Sequence, residues 1–506
     1  MRKVKIFLSI LFSIIVVLMI GCGIGIDGQN QMSINKNEPH IILFISILAA
    51  GIIPLIYRLL KKIKKPYNFI LTGIVGVCIL VFQIFIIKDL GVSQDYNSWE
   101  DQWRVNTTAY SLVDGNGIPE EHFEYFSNFP HNLFITKTSQ AALFIGKTLG
   151  LTNFLSYYQI LMILNAIFID ISIILGILCL KRFFGKEAIL PGTLLFGTMS
   201  APIMLYIPIC YTDTFSMPFI MAIFYLLIWG RDNLSLLGRK QYIIYGVVFG
   251  LLTFVAMSLK ATSLILVIAA SIFFLPKFKK KSLLVLAPAI LIIIPFSLIW
   301  SGYKNTILDS TKKVPLTHWV MMSMSGNGNW SQQDYIDTFS AINSGEDVVQ
   351  KNLNTISERF NTLGFDGYVS LLGRKISFTW GDGTFYAPHK LLLGNYNQTQ
   401  MHKVFVAGTS YSKQTYKILN IVWLTALLLI GFYSIKSIFR DEDIFFSIIK
   451  LTIIGLFVFL LFWETRSRYV TNYLPLIIIL TFYSIRGIAI PNSKKTRGRD
   501  LKGRQL

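Results

Sequence analysis

Residues 58–90, RLLKKIKKPYNFILTGIVGVCILVFQIFIIKDL, begin with a basic cluster (Arg58, Lys61, Lys62, Lys64, Lys65) and run through an apolar stretch near 68–87 to Lys88 and Asp89. Roughly 20 apolar residues cover the hydrocarbon core of a bilayer. Cations gathered at one flank of such a stretch mark its cytoplasmic end. This segment therefore reads as a transmembrane helix that leaves the cytoplasm at Lys65 and emerges near Asp89.

The same pattern recurs on both sides of it. Apolar runs near 6–26, 41–59, 157–180, 188–208, 213–230, 242–258, 262–276, 282–300, 418–435, 444–463 and 470–485 bring the expected count to about 12 spans, within a range of 11 to 13. The expected fold is an all-α polytopic membrane protein with both termini in the cytoplasm. Composition agrees: of 506 residues 53% are hydrophobic and 15% charged, where a soluble domain carries about 25% charged residues. An ordinary soluble enzyme and a disordered chain are both excluded.

The net charge of +20 is informative once it is placed along the chain. With this topology the inner segments hold 28 basic and six acidic residues, and the outer segments 19 basic and 20 acidic. The basicity thus orients the chain and meets anionic lipid, and it implies no nucleic-acid partner. Met1 to Cys22 has a basic start, an apolar run and Gly21-Cys22, a faint likeness to a lipoprotein signal. Met19 stands where such signals usually have Leu, so the first span is read as retained.

The expected organisation is two N-terminal helices (1–67), a transmembrane core (68–300) with an outer loop (88–156), a small mixed outer cap (301–417), C-terminal helices (418–485) and a basic tail (486–506). The short inner loops carry no nucleotide-binding glycine signature, so chemistry belongs on the outer face and its substrate must be membrane-borne. Cys22, Cys78, Cys179 and Cys210 lack metal or disulfide spacing, and no metal site is expected from them.

The acids Asp89, Asp95, Glu100 and Asp101 are mixed with Tyr96, Trp99 and Trp103. Aromatic rings stack on apolar sugar faces, and a carboxylate accepts a proton from a hydroxyl nucleophile. A solvated acidic loop with interfacial tryptophans has the same composition. Lys260, between two apolar runs, reads either as a snorkelling lysine or as a functional cation. Asp170 lies inside a span and needs a partner, with Asn165, a cation or a proton as the options. Asp213, at a span mouth, could orient an acceptor, hold a divalent cation such as magnesium or manganese, or cap a helix starting at Thr214.

Four short motifs occur in order between about 95 and 485. They are Asp101 to Gly115 (DQWRVNTTAYSLVDG), Tyr125 to Asn132 (YFSNFPHN), Tyr211-Thr212-Asp213-Thr214, and Glu464 to Tyr469 (ETRSRY). Their sequence resembles that of GT-C glycosyltransferases, the membrane superfamily that includes protein O-mannosyltransferases and aminoarabinose transferases. The family's Asp-Glu pair stands here as Asp101-Gln102, with Glu100 before it. The first two spans would be an addition to that fold.

The resemblance implies transfer of a sugar from a polyprenyl-phosphate donor to an acceptor at the outer face, usually with inversion. It implies Asp101 as the base, with Glu100 beside it and Asp213 as a second acid. Arg466, Arg468 and Lys260 would bind the lipid phosphate, since arginine holds phosphate oxygens through paired hydrogen bonds. Tyr211, His131 and Asn132 fall in the matched motifs and would contact substrate. In the outer segment, His318 to Met322, Ser325 to Trp330 and Phe378 to Tyr386 are similar to loops of Gram-positive GT-C members. His318, Trp380 and the nearby Arg374 are therefore further substrate-binding candidates.

Lys-, Asn- and Ile-rich usage points to a low-GC Gram-positive bacterium, a plasma-membrane location, and wall polysaccharide or teichoic acid as the acceptor. A flippase or polysaccharide transporter would account for the spans, but not for two long outer segments with clustered acids. A polysaccharide polymerase or ligase would lean on arginines in its outer loop.

Overall fold

The computed structural model describes residues 2–26, 38–90, 101–234, 238–274, 276, 281–392, 399–440 and 442–490. Every regular element among them is helical. Ten helices are long and apolar enough to cross a bilayer: α1 Arg2–Gly25, α2 Pro39–Leu60, α3 Lys65–Asp89, α4 Tyr157–Phe184, α5 Thr212–Asn233, α6 Arg239–Leu259, α7 Leu283–Ile307, α8 Ser412–Lys436, α9 Ile444–Phe462 and α10 Ser467–Ala489.

Their ends follow local chemistry. Ser156 opens α4 with a capping box, accepting from the Gln159 amide at 3.2 Å while the Gln159 side chain accepts from the Ser156 amide at 2.9 Å. Asp443 accepts from the Phe445 amide at the start of α9. Prolines sit in the first turns of α2 and α3, where a missing N–H costs nothing.

Two of the twelve expected spans are not long helices. The 188–208 run is a helix, Ile189–Met199, followed by the short pieces Ala201–Met204 and Ile207–Ile209. Pro202 and Pro208 account for the interruption, since neither can donate a helix hydrogen bond. The 262–276 run forms Leu264–Phe274 after a single 3-10 turn. Asp170 is paired, though with neither expected side chain: Gln83 of α3 donates to its Oδ1 at 2.7 Å, while Asn165 donates to the carbonyls of Tyr206 and Ile207.

Polar contacts sort the loops into two groups. At one end Lys5 donates to the Glu442 carbonyl, Arg58 donates to the Ala489 carbonyl at 2.6 Å, Lys61 meets Glu187 at 3.2 Å and Arg231 meets Asp443 at 3.3 Å. Each contact joins two segments that the charge distribution assigns to one side. The opposite end gathers the starts of α5 and α10, the end of α6 and both long connecting segments. Helices α3 and α7 leave much of their apolar surface uncovered, with Phe69 82% and Leu298 67% exposed. In lipid such faces carry no hydrophobic penalty.

The 301–417 segment is not a mixed cap. Its described residues form helices Leu316–Met322, Gln332–Ser344, Val348–Trp380, Ala387–Leu392 and Gln400–Phe405, with no strand, and α7 itself runs past residue 300 to Ile307. The 348–380 helix breaks its path at Gly364 and drives its apolar last turns into the bundle. There Ser377 donates to the Ile26 carbonyl at 2.8 Å and Trp423 of α8 donates to the Trp380 carbonyl at 2.6 Å. The hydrophobic sequence from Ile376 to Phe385 is buried because it is part of the core.

Candidate active site

The first connecting segment sets one pole of the site. Helix Asp101–Val113 begins with the candidate base and ends at Gly115, whose φ of +85° is a left-handed turn open to glycine. Helix Glu120–Asn128 then brings Tyr125 back over it. Tyr125 donates to Asp101 Oδ1 at 3.0 Å and accepts from Asn132 Nδ2 at 2.5 Å. Tyr211, arriving from the 188–211 run, has its hydroxyl 2.9 Å from Asn132 Oδ1 and 3.4 Å from Asp101 Oδ2. Asp101 is thus held from both oxygens by two buried phenols, with Asn132 fixing the spacing between them. His131, next to Asn132, is exposed, with the Phe129 and Trp319 rings 6.2 and 6.4 Å away. The protein packed around it holds its imidazole below the ordinary range, aided by Lys304 and Lys313 and opposed by Asp101.

The second pole is cationic. Lys260 interrupts the helical path after α6 with extended backbone (φ −153°, ψ 110°) and forms an ion pair with Asp213 on the first turn of α5. It is not a snorkelling lysine: its side chain is 11% exposed and that of Asp213 2%. Asp213 does not cap its helix, which already begins at Thr212. Its Oδ2 is buried without a hydrogen-bond partner. Arg468, in the 3-10 turn Ser467–Tyr473, lies 6.0 Å from the Tyr211 ring centroid and 5.2 Å from that of Tyr469. Its Nε is likewise buried without a hydrogen-bond partner. Lys260 Nζ lies 5.4 Å from the same Tyr469 ring. Tyr211 therefore stands between the two poles, with Asp101 on its hydroxyl and Arg468 beside its ring.

A scaffold of buried turns fixes the arginines. Asp382, fully buried, accepts from the Thr384 and Tyr386 amides at 2.9 and 3.0 Å and from the Ser467 hydroxyl at 2.7 Å. Burial pushes its carboxyl up, while these bonds oppose the shift. The turn places two non-glycine residues, Phe385 and Tyr386, at φ +51° and +66°. Such backbone costs of order 1–3 kcal/mol per residue and persists where surroundings enforce it. Its product is the Tyr386 ring 5.2 Å from the Arg466 guanidinium. Arg466 also lies 3.4 Å from Glu464, which accepts from Tyr469 at 2.9 Å.

Lys375 fastens the same region. It is 1% exposed and donates to the carbonyls of Ser323, Leu461 and Trp463 at 3.2, 2.7 and 3.1 Å. Burial pulls its ammonium down to about 7, against the pull of Glu464. Gly328 (φ +76°) packs on its stem, where a Cβ would come within 2.8 Å. The Thr465 amide donates to the Gly328 carbonyl at 2.7 Å, completing the seam.

Of the sequence candidates, Asp101, Asn132, Tyr211, Asp213, Lys260, Arg466 and Arg468 share this region, and His131 lines it. Glu100 and Asp95 lie outside the described residues. Three candidates from the outer segment take other places. His318 is buried against Thr338 at 2.8 Å and Trp380 is 2% exposed in the core, so neither offers a free ring face. Arg374 bonds Ser370 and the Gly326 carbonyl.

Asp213 faces a lysine and has Arg468 nearby, and that charge disfavours a divalent cation. Among the described residues no three His, Cys, Asp or Glu side chains converge as metal ligands do. Tyr125, Tyr469, Glu464, Asp382 and Tyr386 are site residues that the sequence reading quoted inside motifs without singling out.

A family model described as "Conserved hypothetical integral membrane protein" matches residues 3–488, and the chain belongs to that family. No curated protein matches the sequence. Among solved structures, the archaeal oligosaccharyltransferase AglB from Archaeoglobus fulgidus, in complex with an inhibitory peptide and a dolichol-phosphate, is similar over 86% of this chain at 12% identity and a TM-score of 0.43. The chain spans about half the length of that protein, 53% of it.

Proposed function

We propose that the chain is a GT-C-like membrane glycosyltransferase that moves a sugar from a polyprenyl-phosphate donor to a cell-envelope acceptor. One observation carries this reading. A carboxylate held by two phenols, Asp101, and a group of cations with unused hydrogen-bonding capacity, Arg468 above all, flank Tyr211 in a single region.

Inverting transfer from a lipid phosphate needs both poles. Asp101 takes the proton as the acceptor hydroxyl attacks the anomeric carbon. The breaking bond leaves its electron pair on the phosphate, whose growing charge meets Arg468, with Lys260 and Arg466 nearby. The orphaned Arg468 Nε gains the acceptor oxygen that it lacks. An apolar cavity of about 350 Å³, bordered by Val320, Met324, Leu353, Phe360, Leu461 and Phe462, ends two residues before Glu464 and suits part of the prenyl chain.

In this reading both poles face the extracytoplasmic side of the plasma membrane, N- and C-termini are cytoplasmic, and the acceptor is a wall polysaccharide or teichoic acid of a Gram-positive bacterium. The 68–300 core and the 301–417 segment then build one site together. Comparison of envelope sugars from cells with and without the gene tests the proposal. Loss of one sugar without the gene is expected. Identical sugar composition under expressing conditions would overturn it.

A further inference from the structure

A groove of about 290 Å³ runs between α2 and the Ile189–Met199 helix, floored by α8 and α10. Its lining is apolar apart from a few hydroxyls, and along α2 it extends from Ala49 to Leu60. At 1.5 Å per residue that is about 16 Å, the length of one lipid acyl chain's buried part. Chemistry changes at its Leu60 end. Tyr57, 3% exposed, lines the groove, and its buried hydroxyl faces the Arg486 guanidinium, leaving its own proton free to donate. Arg486 lies 4.9 Å from the Phe184 ring, and its Nε is buried without a hydrogen-bond partner.

Basic residues crowd this mouth: Arg58, Lys61, Lys62, Lys64 and Lys65 follow in sequence, with Glu187, paired to Lys61 at 3.2 Å, the acid among them. A phenol and a guanidinium that meet each other, with the Arg486 Nε still lacking an acceptor, form a two-part complement at the charged end of an acyl-length apolar groove. Phosphate would accept from both donors, and the chain below would lie against Ile53, Leu195 and Phe482. The site lies at the end of the bundle where Arg58 and Lys61 make their contacts, the opposite end from Asp101 and Arg468.

We infer that this groove binds one anionic phospholipid of the leaflet facing the basic loops, its phosphate on Arg486 and Tyr57 and one acyl chain between α2 and the 189–199 helix. A ligand that binds only the folded protein raises its melting temperature in a concentration-dependent way. The test is thermal unfolding of the purified full chain in detergent, titrated with phosphatidylglycerol or phosphatidylcholine.

Phosphatidylglycerol should stabilise at concentrations about tenfold below those needed for phosphatidylcholine, a difference of one decade in affinity. Lys61→Gln, a partly exposed position, and Arg486→Gln should each shrink that gap. Thr198→Phe with Ala49→Phe, which fill the groove and leave the cations in place, should weaken binding of both lipids. Equal stabilisation by the two lipids would reduce the groove to a surface for bulk lipid and overturn the inference. So would an unchanged phosphatidylglycerol preference in Lys61→Gln, the variant least exposed to folding defects.

Discussion

Two buried lysine–carboxylate pairs lie at opposite ends of the bundle, each with one carboxylate oxygen that lacks a hydrogen bond (Glu442 Oε1, Asp213 Oδ2), and they differ in what stands beside them. At the end with the basic loops, Lys450 is 1% exposed and meets both oxygens of Glu442 at 2.9 and 3.0 Å. Ser9 accepts from it at 3.4 Å, and the Phe12 ring covers it. At the other end, Lys260 meets Asp213, but Asp213 Oδ2 and the nearby Arg468 Nε have no hydrogen-bond partners. Burial alone therefore does not mark function. A pair whose lysine lies within 3.0 Å of both carboxylate oxygens, with no further cation of unmet capacity beside it, fastens helices, here α1 to α9. A pair beside an arginine whose Nε lacks an acceptor, and beside a second carboxylate held by phenols, is the better placed to receive a charged ligand.

The contrast can be broken by substitution. Asp101→Asn keeps the size and one acceptor oxygen for the phenols but removes the proposed base. Transfer should fall about a thousandfold, within the range of general-base contributions, with an unchanged melting temperature. Sugar transfer in complemented cells and unfolding of the purified protein read the two arms. Lys450→Met or Glu442→Gln alone should instead cost about 3–5 kcal/mol of stability by stranding one buried charge. The double variant Lys450→Met with Glu442→Leu should recover most of that loss, as urea or thermal unfolding would show. Lost transfer with full stability in Lys450→Met would invert the comparison.

A smaller effect sharpens the view that the 301–417 segment is fastened rather than catalytic at His318. Burial holds the His318 imidazole down to about 4, with Asp334 opposing. The unfolded histidine, with an ordinary value near 6.5, binds a proton first as pH falls. Its contribution is therefore intact above about pH 6.5 and is lost progressively toward about pH 4. A shift of this size corresponds to about 3 kcal/mol at most. His318→Gln should flatten this part of the stability–pH curve, measured by thermal unfolding between pH 4 and 7.

The membrane class was legible because spanning helices need long apolar runs, and ten of the twelve expected runs became long helices. The other two failed through local chemistry: Pro202 and Pro208 in one, and the short run after Lys260 in the other. The outer segment is harder to read, because aromatic, glycine-rich stretches such as Phe378 to Tyr386 look like loops over a ligand. Their apolar residues are in fact core, and only Tyr386 at the turn's end reaches an arginine. Motif order suggests the convergence of Asp101, Asp213 and Arg468, and Lys260 stands out separately as a lone cation between two apolar runs. The role of Tyr211 between them depends on a long-range approach that no local pattern encodes.

Binding of a polyprenyl phosphate to the purified protein tests the two-pole account most directly, because it separates phosphate recognition from base chemistry. Wild type and Asp101→Asn should bind it with equal affinity, whereas Arg468→Gln should bind it at least tenfold more weakly. Equal binding by all three proteins would contradict the assignment of the phosphate to Arg468.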